Sequence, residues 1–453
     1  MHALLTYIVL LLSLLMFVVK REHKICLLLI DILCFNGVSL PVFGNVLTPY
    51  MFFFLSELIH YKQYYLTIKK TRIKYPFWIL LASMAILIAT SPHLSTLSDI
   101  GYFFLREFIV KYGIFFFVFV ACLNIKSQRP IIITTFSCLI VLTFFGLLNL
   151  VTRHAIYVDW TLAGLDNNFL YSNAGSAFTY DDRFRVQSMF ANPFNYGYAC
   201  LMLLLYYWYL IKEKYIKKNL FYIATACCLF GIFTCGCRTL LACLLVGVLT
   251  FVLFGYNLKS QVKFIISGLF LLFVVSMMMP NNFNKQISFL TSAFTDDQTV
   301  GGSSLSMRQT QTATVFYYIK DDMALGRGYG FFLNDLGWGG GRETAVDRDL
   351  QGLEGVYLNL LLERGIIGLT LYALYWISII LIVRKLYKKN RDKNTLAINA
   401  SIIASYLAFA NMTGELNSVP ITLYFVGLAL AWSYNGKSLK KLNLRGQVNT
   451  RHQ

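Results

Sequence analysis

Runs of mainly apolar residues recur along the whole chain, and each is close to the roughly 20 residues that a helix needs to cross a bilayer. In hydrocarbon a segment must satisfy its own backbone hydrogen bonds, so only helices and closed barrels span. The alternating pattern of an outer-membrane barrel is missing here. The runs predict helices near 2–19, 25–41, 44–60, 76–91, 107–124, 130–150, 194–212, 219–235, 239–255, 262–279, 364–384, 396–411 and 420–435. Asp31, Asn36 and Pro41 interrupt the 25–60 pair, which could be partly re-entrant. Only 14% of residues are charged, against about 25% in a soluble chain. The expectation is an all-α polytopic membrane protein, one transmembrane domain over 1–453 with about 12–13 transmembrane helices.

A formal charge of +18 could suggest nucleic acid, but the placement of the cations argues against that partner. Lys20, Arg21 and Lys24 share one gap between apolar runs, and Lys62, Lys69, Lys70, Arg72 and Lys74 share another. Lys212–Lys218, Arg384–Lys393 and Lys437–Arg451 repeat the pattern in every second gap, as the positive-inside rule requires. Thirteen spans then leave the C-terminus in the cytoplasm. The N-terminus is apolar from Ala3, with its cations after the run, so it reads as a first span and not as a secretory signal. All ten cysteines lie in or beside apolar runs and read as buried small hydrophobes. Cys235 and Cys237 have the wrong spacing for zinc, and no metal is expected. Without a visible internal repeat, the inverted-repeat signature of many transporters is not evident.

The same topology puts three segments on the outer side, at 92–106, 151–193 and 280–363, where they can meet. The last is a large external loop inserted before the helix at 364–384. A connection this long is usually functional or disordered. This one carries Phe316, Tyr317, Tyr318, Phe331, Phe332, Trp338 and Tyr357, enough apolar area to pack. The arginines outside the basic gaps are the informative ones. Arg185 precedes a span, Arg238 sits between two, and Arg308 begins a stretch expected to form a helix along the membrane surface. Guanidinium groups stay charged and fork onto phosphate oxygens, so this set suits a lipid-linked diphosphate and could stabilise its charge as it leaves. Arg327 lies in Gly326-Arg-Gly-Tyr-Gly330, read as a tight turn, since no strand or Lys-Ser/Thr accompanies it. If a sugar hydroxyl attacks, a base must lie within about 3 Å. No histidine lies in the main loop, so carboxylates are the candidates: Asp296, Asp297, Asp321, Asp322, Asp335, Glu343, Asp347, Asp349, Glu354 and Glu363. Glu354 is favoured by its place just before a span; the alternative is a carboxylate stabilising a helix N-terminus. Glu363 and Arg364 read as a structural pair.

These stretches together resemble the O-antigen polymerase and O-antigen ligase superfamily. Arg185-Val-Gln-Ser-Met-Phe-Ala-Asn-Pro-Phe-Asn-Tyr-Gly197 is similar to its R…F-x-N-P-N-x-x-G signature, and Cys237-Arg238-Thr stands where the family commonly has Ser-Arg. Arg308 followed by Gly326-Arg-Gly-Tyr-Gly330 resembles its R…G-x-G-x-G stretch. Glu354-Gly-Val-Tyr-Leu, with Glu363 and Gly365-Ile-Ile-Gly368, resembles H-N-x-Y-L…E-x-G-x-x-G. The matches cover about 183–370, and their order and spacing are more specific than any one of them.

The resemblance implies a GT-C-like, inverting, metal-independent glycosyltransferase without cofactor. It would work on undecaprenyl-diphosphate-linked glycans at the outer face of the bacterial cytoplasmic membrane. Arg185, Arg238 and Arg308 would bind diphosphate, with Glu354 and Arg308 catalytic and Asn192, Tyr357 and Arg327 accessory. Its partners would be those lipid-linked glycans, the lipid bilayer and a chain-length regulator protein. The ligases usually have His where this chain has Glu354, which favours a Wzy-type polysaccharide polymerase making O-antigen, capsule or exopolysaccharide. A ligase transferring glycan to lipid A core and a lipid-linked oligosaccharide flippase are the alternatives.

Overall fold

The structure is a computed structural model. It describes residues 2–35, 38, 40–42, 45–47, 49–70, 72–105, 112–123, 125, 127–162, 179–180, 183–190, 192–278, 305–337, 346–350, 353, 355–390 and 393–412. The described chain is mostly helical, with two very short antiparallel pairings: Leu40–Val42 with Asn45–Leu47, and Thr179–Tyr180 with Arg183–Phe184. Helices overlap every expected position except 420–435, which lies outside the described residues, but residues 40–41 and 45–47 of the expected 25–41 and 44–60 helices are strand, and the helices there are the shorter Arg21–Cys34 and Pro49–Leu58. Among the described residues, three helices are long and apolar enough to cross a membrane: Arg129–Thr152, Arg238–Gly255 and Val356–Lys385. Tyr61–Lys69 with Lys74–Thr90 makes a fourth if that bent pair is one span.

Several helices turn apolar side chains outward, as a bundle solvated by lipid tails would. Phe144 and Val151 on Arg129–Thr152, Leu245 and Leu253 on Arg238–Gly255, and Ile377 and Leu381 on Val356–Asn390 are exposed. Contiguous exposed apolar area of this extent marks a membrane or partner surface in a soluble-looking fold. Between helices the contacts are made by small residues. Arg238–Gly255 packs along Lys393–Met412, where Ser401 Oγ donates to Gly247 O at 2.5 Å and Ser405 Oγ to Cys243 O at 3.1 Å. Small residues let two backbones approach, and the hydroxyls satisfy themselves across the seam. Pro193–Lys212 is buried on nearly all sides and is the central element of the bundle.

Two expectations change. The basic gap around residue 62 is itself a helix, Tyr61–Lys70. Arg21 and Lys24, read as surface charges, are drawn into the protein by Glu57, which is fully buried. Glu57 lies 3.1 Å from Arg21 Nε and 3.1 Å from Lys24 Nζ, and accepts from Tyr64 Oη at 2.6 Å. A carboxylate withdrawn from water needs such company, because leaving it unpaired would cost several kcal/mol. The ten cysteines are free thiols, nine of them buried, as their apolar settings predict.

The insert does pack. Helix Leu305–Ile319 supplies Val315 and Ile319 to a second, smaller core with Phe332, Leu336, Leu350, Leu353, Leu358 and Leu362. Of its aromatics, Tyr318, Phe331 and Tyr357 join that core, whereas Phe316 and Tyr317 are exposed and Trp338 lies outside the described residues. The insert ends earlier than expected: helix Val356–Asn390 begins before residue 364 and breaks at Gly365, where φ is 59° and ψ is −162°.

Candidate functional site

The stretch after Arg183 runs into the bundle instead of staying outside it. Val186, Gln187, Ser188, Met189 and Phe190 are all buried. Irregular backbone at such depth is tolerated where protein covers it. Here Val186 N donates to Thr234 O at 3.0 Å and Ser188 Oγ to Leu142 O at 2.6 Å.

That path lays Arg185 against the turn Cys235–Arg238. Gly236 has φ +63°, and a Cβ built on it would lie 3.2 Å from Arg185 Cγ and 3.8 Å from its Nε. Arg238 opens helix Arg238–Gly255, with Cys237 as the N-cap residue. The positive end of a helix and two guanidinium-bearing side chains therefore belong to one turn, a setting that favours an anion. The motif downstream of Arg185 makes the approach possible. Asn192 Oδ1 accepts from Phe194 N at 2.8 Å and caps helix Pro193–Lys212. One turn on, a Cβ at Gly197 would fall 2.6 Å from Cys235 Sγ and 2.3 Å from Leu240 Cδ1. Only glycine fits there. Asn192 thus acts through the helix it caps, and Gly197, not named as a site residue, sets how closely the Arg238 turn can sit.

Arg308 lies on the helix that supplies Val315 and Ile319 to the second core. It lies on the first turn of Leu305–Ile319, half-buried, with Thr312 Oγ1 bonded to its carbonyl at 2.7 Å. That helix packs on Arg348–Leu350 and on Val356–Asn390. The described contacts join Arg185 to the Arg238 turn and put Arg308 on the insert. Tyr357 is half-buried on the insert side, its ring over Gly355, where a Cβ would be 2.8 Å from Tyr357 Cε1. Glu354 lies outside the described residues, between Leu353, buried in the second core, and Gly355, whose φ is +93°.

Arg327 has a structural job. Its Nε donates to Tyr318 O at 2.6 Å, Nη1 to Asp322 at 3.0 Å, and Nη2 stands 3.7 Å from Asp321. The loop around it docks on the break in Val356–Asn390. Arg327 N donates to Leu362 O at 2.8 Å, Gly328 N to Glu363 O at 3.0 Å, and Gly330 N to Glu363 Oε1 at 3.0 Å. From the other side Ile366 N reaches Met323 O at 2.9 Å and Ile367 N reaches Ala324 O at 3.1 Å. Gly326, Gly328 and Gly330 all have positive φ, so this is a tight turn as expected, used as a latch and not as a phosphate cradle.

The 92–106 and 280–363 segments meet, as the topology predicts. His93 Nε2 lies 2.7 Å from Asp335 Oδ2, Ser91 Oγ donates to Tyr329 O at 3.2 Å, and the Phe103 and Tyr329 rings are 4.6 Å apart. Several base candidates are engaged in holding the insert: Asp322 by Arg327, Asp335 by His93, Asp347 by Tyr318, and Glu363 by Gly330. Arg364, expected to form a structural pair with Glu363, is buried beside the break. Its signal in the sequence is a cation at the start of an apolar run, followed by Gly365 and Gly368. No cluster of metal-ligating side chains occurs among the described residues. No protein-family model matches this chain, and no curated protein sequence matches it.

Proposed function

We propose that this protein is a glycan polymerase of the superfamily its motifs resemble, in a GT-C-like bundle of about 12–13 spans. It would work in the bacterial cytoplasmic membrane, with its C-terminus in the cytoplasm. It would lengthen undecaprenyl-diphosphate-linked repeats at the outer face. The observation that carries the reading is the seating of Arg185 against the Gly236 turn that starts the Arg238 helix. Two cations far apart in sequence share one helix N-terminus, and the motif residues Asn192 and Gly197 shape the same place.

In this reading the non-reducing sugar hydroxyl of a new repeat attacks the anomeric carbon of the growing chain. A glycosidic C–O bond forms with inversion as the C–O bond to the lipid diphosphate breaks. Arg185 and Arg238 stabilise the negative charge that the diphosphate carries away, and Arg308 closes on it from the insert. Glu354 takes the hydroxyl proton. The engagement of Asp322, Asp335, Asp347 and Glu363 within the fold supports Glu354 over those carboxylates.

The test is the glycan ladder. Cells lacking the gene should accumulate single repeats, and Arg238→Ala should do the same at unchanged protein level. Finished but unligated polymer would replace this reading by the ligase. Purified protein that moves lipid-linked repeats across a bilayer without lengthening them would replace it by the flippase.

A further inference from the structure

One cationic helix takes no part in the site above, and it is fastened on one side only. In Tyr61–Lys70, Tyr64 is buried, with its hydroxyl donating to Glu57 at 2.6 Å and its ring 5.4 Å from that of Phe117. Gln63 beside it accepts from Arg21 Nη1 at 2.6 Å. Arg21 and Gln63 come from two different basic gaps, so this bond sets both gaps on one side of the membrane. At 3.6 residues per turn, Lys62, Leu66 and Lys69 fall on the face opposite Tyr64, and all three are exposed. Tyr61 and Tyr65 are exposed next to them, and Lys69 Nζ rides over the Tyr65 ring, 5.5 Å from its centre. No Asp or Glu occurs in the sequence between Glu57 and Asp99. Among the described residues neither Lys62 nor Lys69 is in an ion pair.

We propose that the Lys62–Leu66–Lys69 face is a docking surface for the anionic phospholipid headgroups of the leaflet on the basic side. The orientation of the helix carries this. Tyr61–Lys69 is bent by 107° from Lys74–Thr90. The second helix has 17 residues, about the shortest length that spans a bilayer. When it crosses, the first lies nearly flat along the membrane surface. Arg72 is exposed at the bend, and Tyr75 and Trp78 are exposed just beyond it, the aromatic residues that settle at headgroup level. A flat helix at that depth meets lipid on its open face. Its lysines stay at the phosphates while their stems, with Leu66 and the tyrosine rings, enter the acyl boundary. Surplus positive charge selects anionic lipid over neutral lipid, and the positive-inside rule makes this the cytoplasmic leaflet. Tyr64 and Gln63 hold the helix before any lipid arrives, so little ordering is left to oppose binding. None of these residues belongs to the Arg185–Arg238 turn, and the contact holds whatever that turn does.

The experiment follows hydrogen exchange of the amides over 61–70, with the full-length chain in nanodiscs of phosphatidylcholine alone or of phosphatidylcholine mixed with phosphatidylglycerol. The anionic lipid should slow exchange by about fivefold for each lysine engaged. In about 1 M salt, where the screening length falls to about 3 Å, the difference should close. Lys62→Gln with Lys69→Gln should abolish it at low salt, and Lys62→Arg with Lys69→Arg should keep it, which separates lost charge from lost folding. The salt comparison uses the unaltered chain, so it decides even where a variant misfolds. Equal exchange in the two membranes overturns the proposal and leaves this face to a partner protein. A lipid effect that survives high salt, or that survives in the glutamine variant, overturns it as well, since the lysines would then not be what reads the lipid.

Discussion

Two turns in this molecule look alike in sequence and are built for different ends. Cys235-Gly-Cys-Arg238 and Gly326-Arg-Gly-Tyr-Gly330 each set an arginine among residues that let the backbone turn tightly, and each contains glycine at positive φ. In the second, the glycines press on backbone: a Cβ at Gly326 would lie 2.6 Å from Gly365 N. Its arginine is held by Asp321, Asp322 and a carbonyl of the chain. In the first, glycine presses on another arginine, in a shell that includes the buried Cys235 and Cys237. A turn whose cation is neutralised by its own loop is a fastener. In the proposed function, a turn that brings two arginines to a helix N-terminus receives an anion from elsewhere.

That contrast breaks first on activity. Replacing Arg185 or Arg238 with Ala should reduce polymer formation by about 10²–10³-fold, the cost of removing one preorganised charge stabiliser. Arg327→Ala should leave chain length close to normal in the same membranes. The check is the glycan ladder at matched protein abundance, and the opposite ranking would exchange the roles of the two turns.

Stability should sort the turns the other way. Gly365→Ala forces a Cβ to 2.4 Å from Ala324 O in a helix break held on both sides. A loss of about 2–4 kcal/mol is expected, from strain at positive φ plus a backbone clash. It should be read as a lower unfolding temperature and faster proteolysis between residues 305 and 337. Gly236→Ala meets only the flexible Arg185 side chain, at 3.2 Å. It should cost about 1–2 kcal/mol for the left-handed backbone, while polymer formation falls further than stability does because Arg185 is displaced.

How much of this was legible beforehand follows from which forces are local. Most helix positions were readable because apolar run length is a property of one segment, whereas Tyr61–Lys70, Leu97–Phe103 and Ile156–Leu162 lie between the runs and carried no such signal. The meeting of Arg185 with the Arg238 turn was only partly readable: both motifs were visible, but their contact depends on Gly197 letting its helix approach Cys235 and Leu240, a fact about pairs of helices. Arg327, expected as an accessory site residue, is held by Asp321 and Asp322, which stand six and five residues before it in the sequence. Glu57 was overlooked inside an apolar run, where an acid should have prompted a search for buried partners such as Arg21 and Lys24. Arg364 could not be placed without the break, because helix direction on either side of Gly365 decides whether that cation meets water or the bundle.

The smallest effect tests whether the fastening turn is really fastened from within. Tyr318 serves it twice: its carbonyl receives Arg327 Nε at 2.6 Å, and its hydroxyl donates to Asp347 Oδ2 at 3.1 Å. Burial first, then the Asp347 bond and the nearby carboxylate charge, pushes the Tyr318 phenol up to about 12, from an ordinary value near 10. The folded state thus keeps the proton longer than the unfolded chain does. The stabilisation is whole below about pH 10, fades as pH rises toward about 12, and is gone above that. A half-exposed neutral bond of this kind is worth about 1 kcal/mol or less. Proteolysis of the insert should therefore quicken between about pH 10 and pH 12 in the native chain, with a weaker pH trend in Tyr318→Phe, which lacks the titrating proton. Equal trends in both would show that the Arg327 loop is held by its carbonyl and carboxylate contacts alone, and that Asp347 lends the fastener nothing.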